Sequence, residues 1–305
     1  MLALLLCPSS LGLVAAPHWQ RFLSLHAGEW RGRWSTLGPD GNVLDEVTAA
    51  QRLEVPAGQD DVAINTLIFV TGSIKSDCST CFDSEETKEV PAGAFTPEQL
   101  PYCVAGAGSA LGPRVLRSGA MSFEACLRHG EQRVRMTAQF APQSITASTV
   151  DGTPMSLTLG RVTIAREALP PAAVSAVEAA AVDSDWAGDW TGPRHAFSEE
   201  PPSPTAEAGV AVVRCSGAEL EPAAGECQTL LRLGPRCAAI LPSRIQPAQP
   251  TPLQLVWRPP GTEKALLLRA SIEALGRRVV STESTTVMSP PRLLELEVSE
   301  LRRGS

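Results

Sequence analysis

The chain has 305 residues, 43% of them hydrophobic and 19% charged, with a formal net charge of −7 and an acidic isoelectric point near 5.3. That much apolar material builds real cores and excludes wholesale disorder, and the length suits two domains. The acidic balance without a basic run excludes a nucleic-acid surface, which needs clustered cations to displace counterions, and no apolar stretch is long enough to span a bilayer as a helix.

Residues 1–17 are set apart as a leader or targeting remnant. Met1–Ala16 is Leu-rich and ends in small residues, but no Lys or Arg precedes the apolar run, so a targeting core and a remnant of another leader both fit. Residues 18–27 carry Trp19, Phe22, Leu23 and Leu25 at helical spacing, which predicts a short helix that plugs or abuts a barrel. Next comes Trp30-x-Gly32-x-Trp34, and the same W-x-G-x-W spacing returns at Trp186, Gly188 and Trp190, close to half the chain away. Four of six tryptophans in one duplicated pattern indicates an internal repeat, hence two related domains, 18–170 and 171–305, meeting near Leu169-Pro170-Pro171.

Between these marks the first half offers two polar features. Asp77, Asp83, Glu85, Glu86 and Glu89 form an acidic run, a candidate surface for a basic protein partner and equally a solvated loop. Within it Cys78 and Cys81 make a C-x-x-C pair. A redox dithiol, a zinc half-site and incidental loop thiols compete for this pair, and no four-ligand metal spacing accompanies it, so no metal is expected. The glycine-rich segment Gly106–Gly112 lacks the spacing of a nucleotide loop and reads as a mobile connection.

From Met121 the pattern is β. Met121, Phe123, Ala125 and Leu127 alternate before a turn at His129-Gly130, and Val134, Met136, Ala138 and Phe140 alternate after it, with Arg133 and Arg135 on the opposite face. The parity switch between Leu157/Leu159 and Val162/Ile164 predicts a bulge at Gly160. Arg161 or Arg166, on the last strand of this half, is expected to stack on a barrel-closing indole. In the second half Leu266, Leu268, Ala270 and Ile272 alternate before a turn at Gly276, which aligns with Gly130. The fold class is therefore all-β: an antiparallel barrel or sandwich in each half and a short N-terminal helix. The bulky residues Phe123, Met136 and Phe140 point to filled barrels.

The helix, the G-x-W entry to the first strand (Gly32-Arg33-Trp34, Gly188-Asp189-Trp190) and the turn Gly38-Pro39-Asp40-Gly41 resemble the lipocalin, or calycin, superfamily of up-and-down β-barrels, which implies two tandem antiparallel β-barrels. Segments 122–136, 163–167, 186–192, 231–245 and 277–284 extend the likeness to a two-domain lipocalin-like family of cyanobacterial and chloroplast proteins, over about residues 18–290. The resemblance implies a non-catalytic auxiliary factor of the plastid stroma that binds F1 subunits during assembly of the chloroplast ATP synthase, without a cofactor. The alternative is a calycin-type carrier or lyase-like protein holding a tetrapyrrole or fatty acid. Enzyme motifs are absent from the sequence, and the four histidines, at positions 18, 26, 129 and 195, fall in no catalytic spacing.

Overall fold

The computed structural model describes residues 12–70, 87–97, 102–142, 156–170, 188–198, 208–216, 228–233, 236–274, 276–280 and 285–304. The first half comprises helix α1 (Gly12–His26) and strands β1 (Gly28–Leu37), β2 (Val43–Glu54), β3 (Ala63–Val70), β4 (Thr87–Phe95), β5 (Tyr102–Ala105), β6 (Gly108–Val115), β7 (Met121–His129), β8 (Gln132–Pro142) and β9 (Leu157–Ala168). The second comprises β10 (Asp189–Ser198), β11 (Ala208–Ser216), β12 (Gln228–Arg232), β13 (Cys237–Pro242), β14 (Arg244–Ile245), β15 (Pro250–Trp257), β16 (Lys264–Glu273), β17 (Gly276–Val280), β18 (Thr285–Ser289) and β19 (Arg292–Arg303).

Alternation of apolar and polar residues forces strands rather than helices, because successive side chains leave a strand on opposite faces. The β7–β8 hairpin turns at Gly130, which has a positive φ of 58°. Gly160 is the extra residue between the pairs Gln139/Arg161 and Phe140/Leu159, so the expected bulge is present. Helix α1 starts at Gly12, inside the segment set aside as a leader, and runs without a break through the expected helix.

The first sheet follows the antiparallel order β4-β3-β2-β1-β9-β8-β7-β6-β5, and the second follows β11-β10-β19-β16-β15-β13-β12. In both, the opening strand lies between the second and the last strand of its half. β14 leaves the second half to pair with β9 at Leu157 and Thr158, beyond the point where β1 ends opposite Val162. β17 and β18 form a separate ribbon between β16 and β19. Gly276 thus opens that ribbon. The counterpart of the Gly130 turn is the β15–β16 connection, where Gly261 has a φ of 71°.

Two closed tandem barrels are not what the described residues form. The first sheet curls into a half-barrel whose ends, β4 and β5, are not paired with each other, and α1 lies against both sides of that gap. Trp19, Phe22, Leu23 and Leu25 pack there on Leu53 of β2, Ala63 of β3, Val104 of β5 and Leu111 of β6. The helix plugs the curl, as its apolar spacing predicts.

The alternating residues of β7 and β8 are all buried, none exposed by more than 1%. They do not fill a barrel. Phe123, Met136 and Phe140 belong to a single core with Leu266, Leu268, Ile272, Leu296 and Val298 of the second sheet. The apolar faces of the two halves therefore meet each other, as in a sandwich. The glycine-rich segment sits at this contact and is not a free loop. A Cβ on Gly108 would lie 2.8 Å from Val298 Cγ2, and one on Gly106 would lie 2.6 Å from His195 Cδ2.

Candidate functional site

With the apolar faces turned toward each other, the concave side of the first sheet is lined by the opposite parity. Cross-strand register places Gly32, Glu167 and Arg133 in one row and Trp34, Ala165 and Arg135 in the next. Trp30 shares this face and is wholly buried. Arg133 and Glu167 have fully buried side chains, and Arg135 is 8% exposed.

The Glu167 carboxylate is the hub. Its Oε1 accepts from Trp34 Nε1 at 2.9 Å and Arg135 Nη2 at 3.0 Å. Its Oε2 accepts from Arg133 Nε at 2.6 Å and Arg135 Nε at 3.0 Å. Arg133 Nη2 donates to Gln51 Oε1 at 2.8 Å, and Gln51 Nε2 donates to Asn65 Oδ1 at 3.1 Å. Arg135 Nη1 reaches Glu124 Oε2 at 3.4 Å, which balances the second cation. The guanidinium carbons of Arg133 and Arg135 lie 4.3 Å and 5.1 Å from the ring centroids of Trp30 and Trp34, close enough for cation–π attraction.

Helix α1 enters this network at its last residue. His26 Nδ1 lies 3.4 Å from Arg133 Nη1 and its Nε2 lies 2.8 Å from Ser109 Oγ. A guanidinium only donates, so Nδ1 carries the lone pair and Nε2 donates to the serine. Burial, then the charges of Arg133, Arg135 and Arg128, hold the imidazole pKa well below its ordinary value. Burial alone would raise the Glu167 pKa, but the two guanidiniums outweigh it and keep the carboxyl below the usual range. Burial pushes the Cys126 thiol up to about 12, against the pull of the same arginines, so it is no nucleophile near neutral pH. The arrangement is a closed, mutually neutralising network.

The expected site residues distribute as follows. Trp30, Gly32 and Trp34 line this interior. Arg166 does not, because it lies opposite Val134 and Arg33, one residue out of phase with the indoles. The stacking arginines come instead from β7 (Arg128) and β8 (Arg133 and Arg135), and Arg161 donates to Gln139 Oε1 at 2.8 Å. Glu89 pairs with Arg52 across β3, at 2.9 Å. Asp77, Cys78, Cys81, Asp83, Glu85, Glu86 and Trp186 lie outside the described residues. Among the described residues no group of three or more His, Cys, Asp or Glu is placed to hold a metal ion, and no helix is long and apolar enough to cross a membrane. Sequence reasoning missed Arg133, Arg135, Glu167 and His26. The available signal was that Glu124, Cys126, Arg133 and Arg135 share one face of the hairpin, opposite the apolar one.

The repeat is real, but its register differs from W-x-G-x-W. A Cβ on Gly32 would fall 1.8 Å from the Arg166 carbonyl oxygen, and one on Gly192 would fall 1.8 Å from that of Glu300. Gly28 and Gly188 both have positive φ, 109° and 101°. The matching segments are therefore Gly28-Glu29-Trp30-Arg31-Gly32 and Gly188-Asp189-Trp190-Thr191-Gly192, so Trp190 corresponds to Trp30 and Gly188 to Gly28. Arg258 stands 5.4 Å from the Trp190 centroid, as Arg128 stands 4.9 Å from that of Trp30. Beyond this second indole, the concave face of the second sheet opens into a cavity of about 380 Å³ lined in part by Gln254, Arg269 and Glu297.

Residues 15–150 match the family model described as "Domain of unknown function (DUF3598), N-terminal". No curated protein matches the chain. A crystal structure of a protein of unknown function from the DUF3598 family of Nostoc punctiforme PCC 73102 is similar at a TM-score of 0.55 and 14% identity, covering 94% of this chain and 99% of that one. At that identity the likeness speaks for the fold: this chain has the two-sheet, all-β architecture of the Nostoc protein, and its residues 15–150 match the DUF3598 N-terminal domain.

Proposed function

We propose that this protein is a non-catalytic auxiliary factor of the plastid stroma that assists assembly of the chloroplast ATP synthase by binding its F1 subunits. The two halves are read as diverged copies of a calycin-type up-and-down sheet, the first opened at the β4–β5 seam and plugged by α1. The observation that carries the reading is the filled interior of the first curl. A carrier needs a hollow barrel with a few polar groups aimed at a ligand. Here α1, Trp30 and the Arg133–Glu167–Arg135 cluster occupy the space beneath the helix, and the polar groups are aimed at one another. Binding then falls to outer surfaces, which suits a protein partner. Affinity purification of the tagged chain from plastid extract tests this: F1 subunits should co-purify, whereas a coloured or lipid-loaded protein without them overturns the reading.

One observation favours the carrier as the second reading. The cavity on the second sheet is of ligand size, and its lining brings Arg269, whose Nε donates to Gln254 Oε1 at 3.3 Å, together with Glu295 and Glu297. The occupant this reading expects is the tetrapyrrole or fatty acid of a calycin-type carrier. Native mass spectrometry of the purified protein reads its presence directly.

A further inference from the structure

Helix α1 is seated by apolar packing, and the titratable His26 at its end is buried among charged groups. His26 is enclosed by Phe22, stacked at 4.5 Å between centroids, and by groups from three strands. β6 contributes Ser109, β7 contributes Arg128 and the neutral thiol of Cys126, and β8 contributes Arg133 and Arg135. The nearby carboxylate, Glu167 of β9, is already shared by both β8 guanidiniums. A proton added to Nδ1 would point at the N–H of Arg133, donor against donor and cation against cation, with no carboxylate free to compensate. Further polar ties of the helix run from Trp30 Nε1 to His26 O at 3.0 Å, from Trp19 Nε1 to Asp60 O at 2.6 Å, and from Arg128 Nη1 to Ser24 O.

We infer that α1 is a proton-released plug: protonation of His26 unseats the helix from the first curl and uncovers the face formed by Trp30, Gln51 and Arg133. The polar lining suits such a role. When the helix leaves, water can solvate Arg133, Gln51 and Ser109, which a purely aliphatic lining would not allow. A released helix of 15 residues is marginal by itself in water, so unseating also frays its backbone hydrogen bonds.

Hydrogen exchange of the full chain between pH 7.5 and 5, corrected for the intrinsic pH dependence of exchange, tests this. The opening constant of amides 19–27 should rise by up to about tenfold per pH unit below about 6.5, while β15 and β16 keep their protection. His26→Gln keeps a neutral donor and acceptor and should abolish the rise. An α1 opening constant independent of pH, a rise shared equally by β15 and β16, or a rise that persists in His26→Gln each overturns the inference. The comparison of α1 with β15 and β16 in the unaltered protein stands even if the variant does not fold.

Discussion

The two concave interiors are built on one plan and filled with opposite chemistry. Each has an indole with an arginine over it, beside a glycine whose missing Cβ admits a neighbouring carbonyl. Register then equates the lining positions one by one. Ser109, Cys126, Arg133, Arg135 and Glu167 in the first half correspond to Ala238, Val256, Ala265, Leu267 and Leu301 in the second. The second set forms a compact apolar cluster around Trp190. The strand plan therefore does not require the ionic network, since the same plan is built without it. What distinguishes the first interior is the helix that enters it. The salt bridges follow from holding His26 and closing beneath α1.

The strongest break of this comparison is Glu167→Leu. It leaves two buried guanidiniums without their shared carboxylate and should cost about 3–5 kcal/mol, read as a shift in urea midpoint. Copying the second-half residues into the first at the three charged positions (Arg133→Ala, Arg135→Leu, Glu167→Leu) should recover most of that loss, because apolar replacement of a buried ion cluster is often neutral or stabilising by about 1–4 kcal/mol. A triple variant no more stable than Glu167→Leu would sink the equivalence.

Gly32→Ala and Gly192→Ala come next, each expected to cost about 1–3 kcal/mol as backbone is pushed apart, and by similar amounts in the two halves. Gly188→Ala meets only the Arg303 side chain, at 3.2 Å, and should cost less, mainly the strain of a positive φ. If Gly188→Ala matched Gly32→Ala instead, the W-x-G-x-W register would be the true one.

Acid should separate the interiors as well. The folded-state pKa of His26 lies below its unfolded value, so its neutral form stabilises the fold fully above about pH 6.5, and that contribution is lost as pH falls below this value. Glu167 acts in the same direction at lower pH: its contribution is present above the unfolded carboxyl pKa of about 4.3 and lost as pH falls through its depressed folded value. Among the groups compared in the second interior, alanine, valine and leucine have nothing to titrate. Thermal melts of the unaltered protein and of His26→Gln from pH 7.5 to 5 should diverge on the acid side. The smallest effect belongs to Arg128→Ala and Arg258→Ala. Each should lose about 0.5–2 kcal/mol of cation–π attraction, with a parallel change in tryptophan emission.

Much of this was readable from single residues. The alternation through Met121–Phe140 announced the β7–β8 hairpin, Gly160 announced the bulge of β9 against β8, and Trp19, Phe22, Leu23 and Leu25 announced a helix with one apolar side. The interior network was not readable. Arg133 and Arg135 alternate with apolar residues, and the usual meaning of that pattern is a solvated outer face. Nothing local says that a second sheet covers the apolar side or that a helix covers the charged one. Glu167 lies 34 residues from Arg133 in the chain, and only the β8–β9 register brings them together.

Local covalent geometry lets the sequence by itself mark the long alternating strands, the turn at Gly130 and the two chemically different faces of each strand, whereas the roles of Gly276 and Gly106–Gly112 took the structure to decide. The sequence also signals a repeat, whose register only the structure fixed. Which face turns inward is a tertiary matter. A period of two states that the faces differ, but it carries no information about what each will meet. Only the packing of the two apolar faces into one core, with α1 drawn into the first curl, left the arginines inside and made Glu167 and His26 their partners.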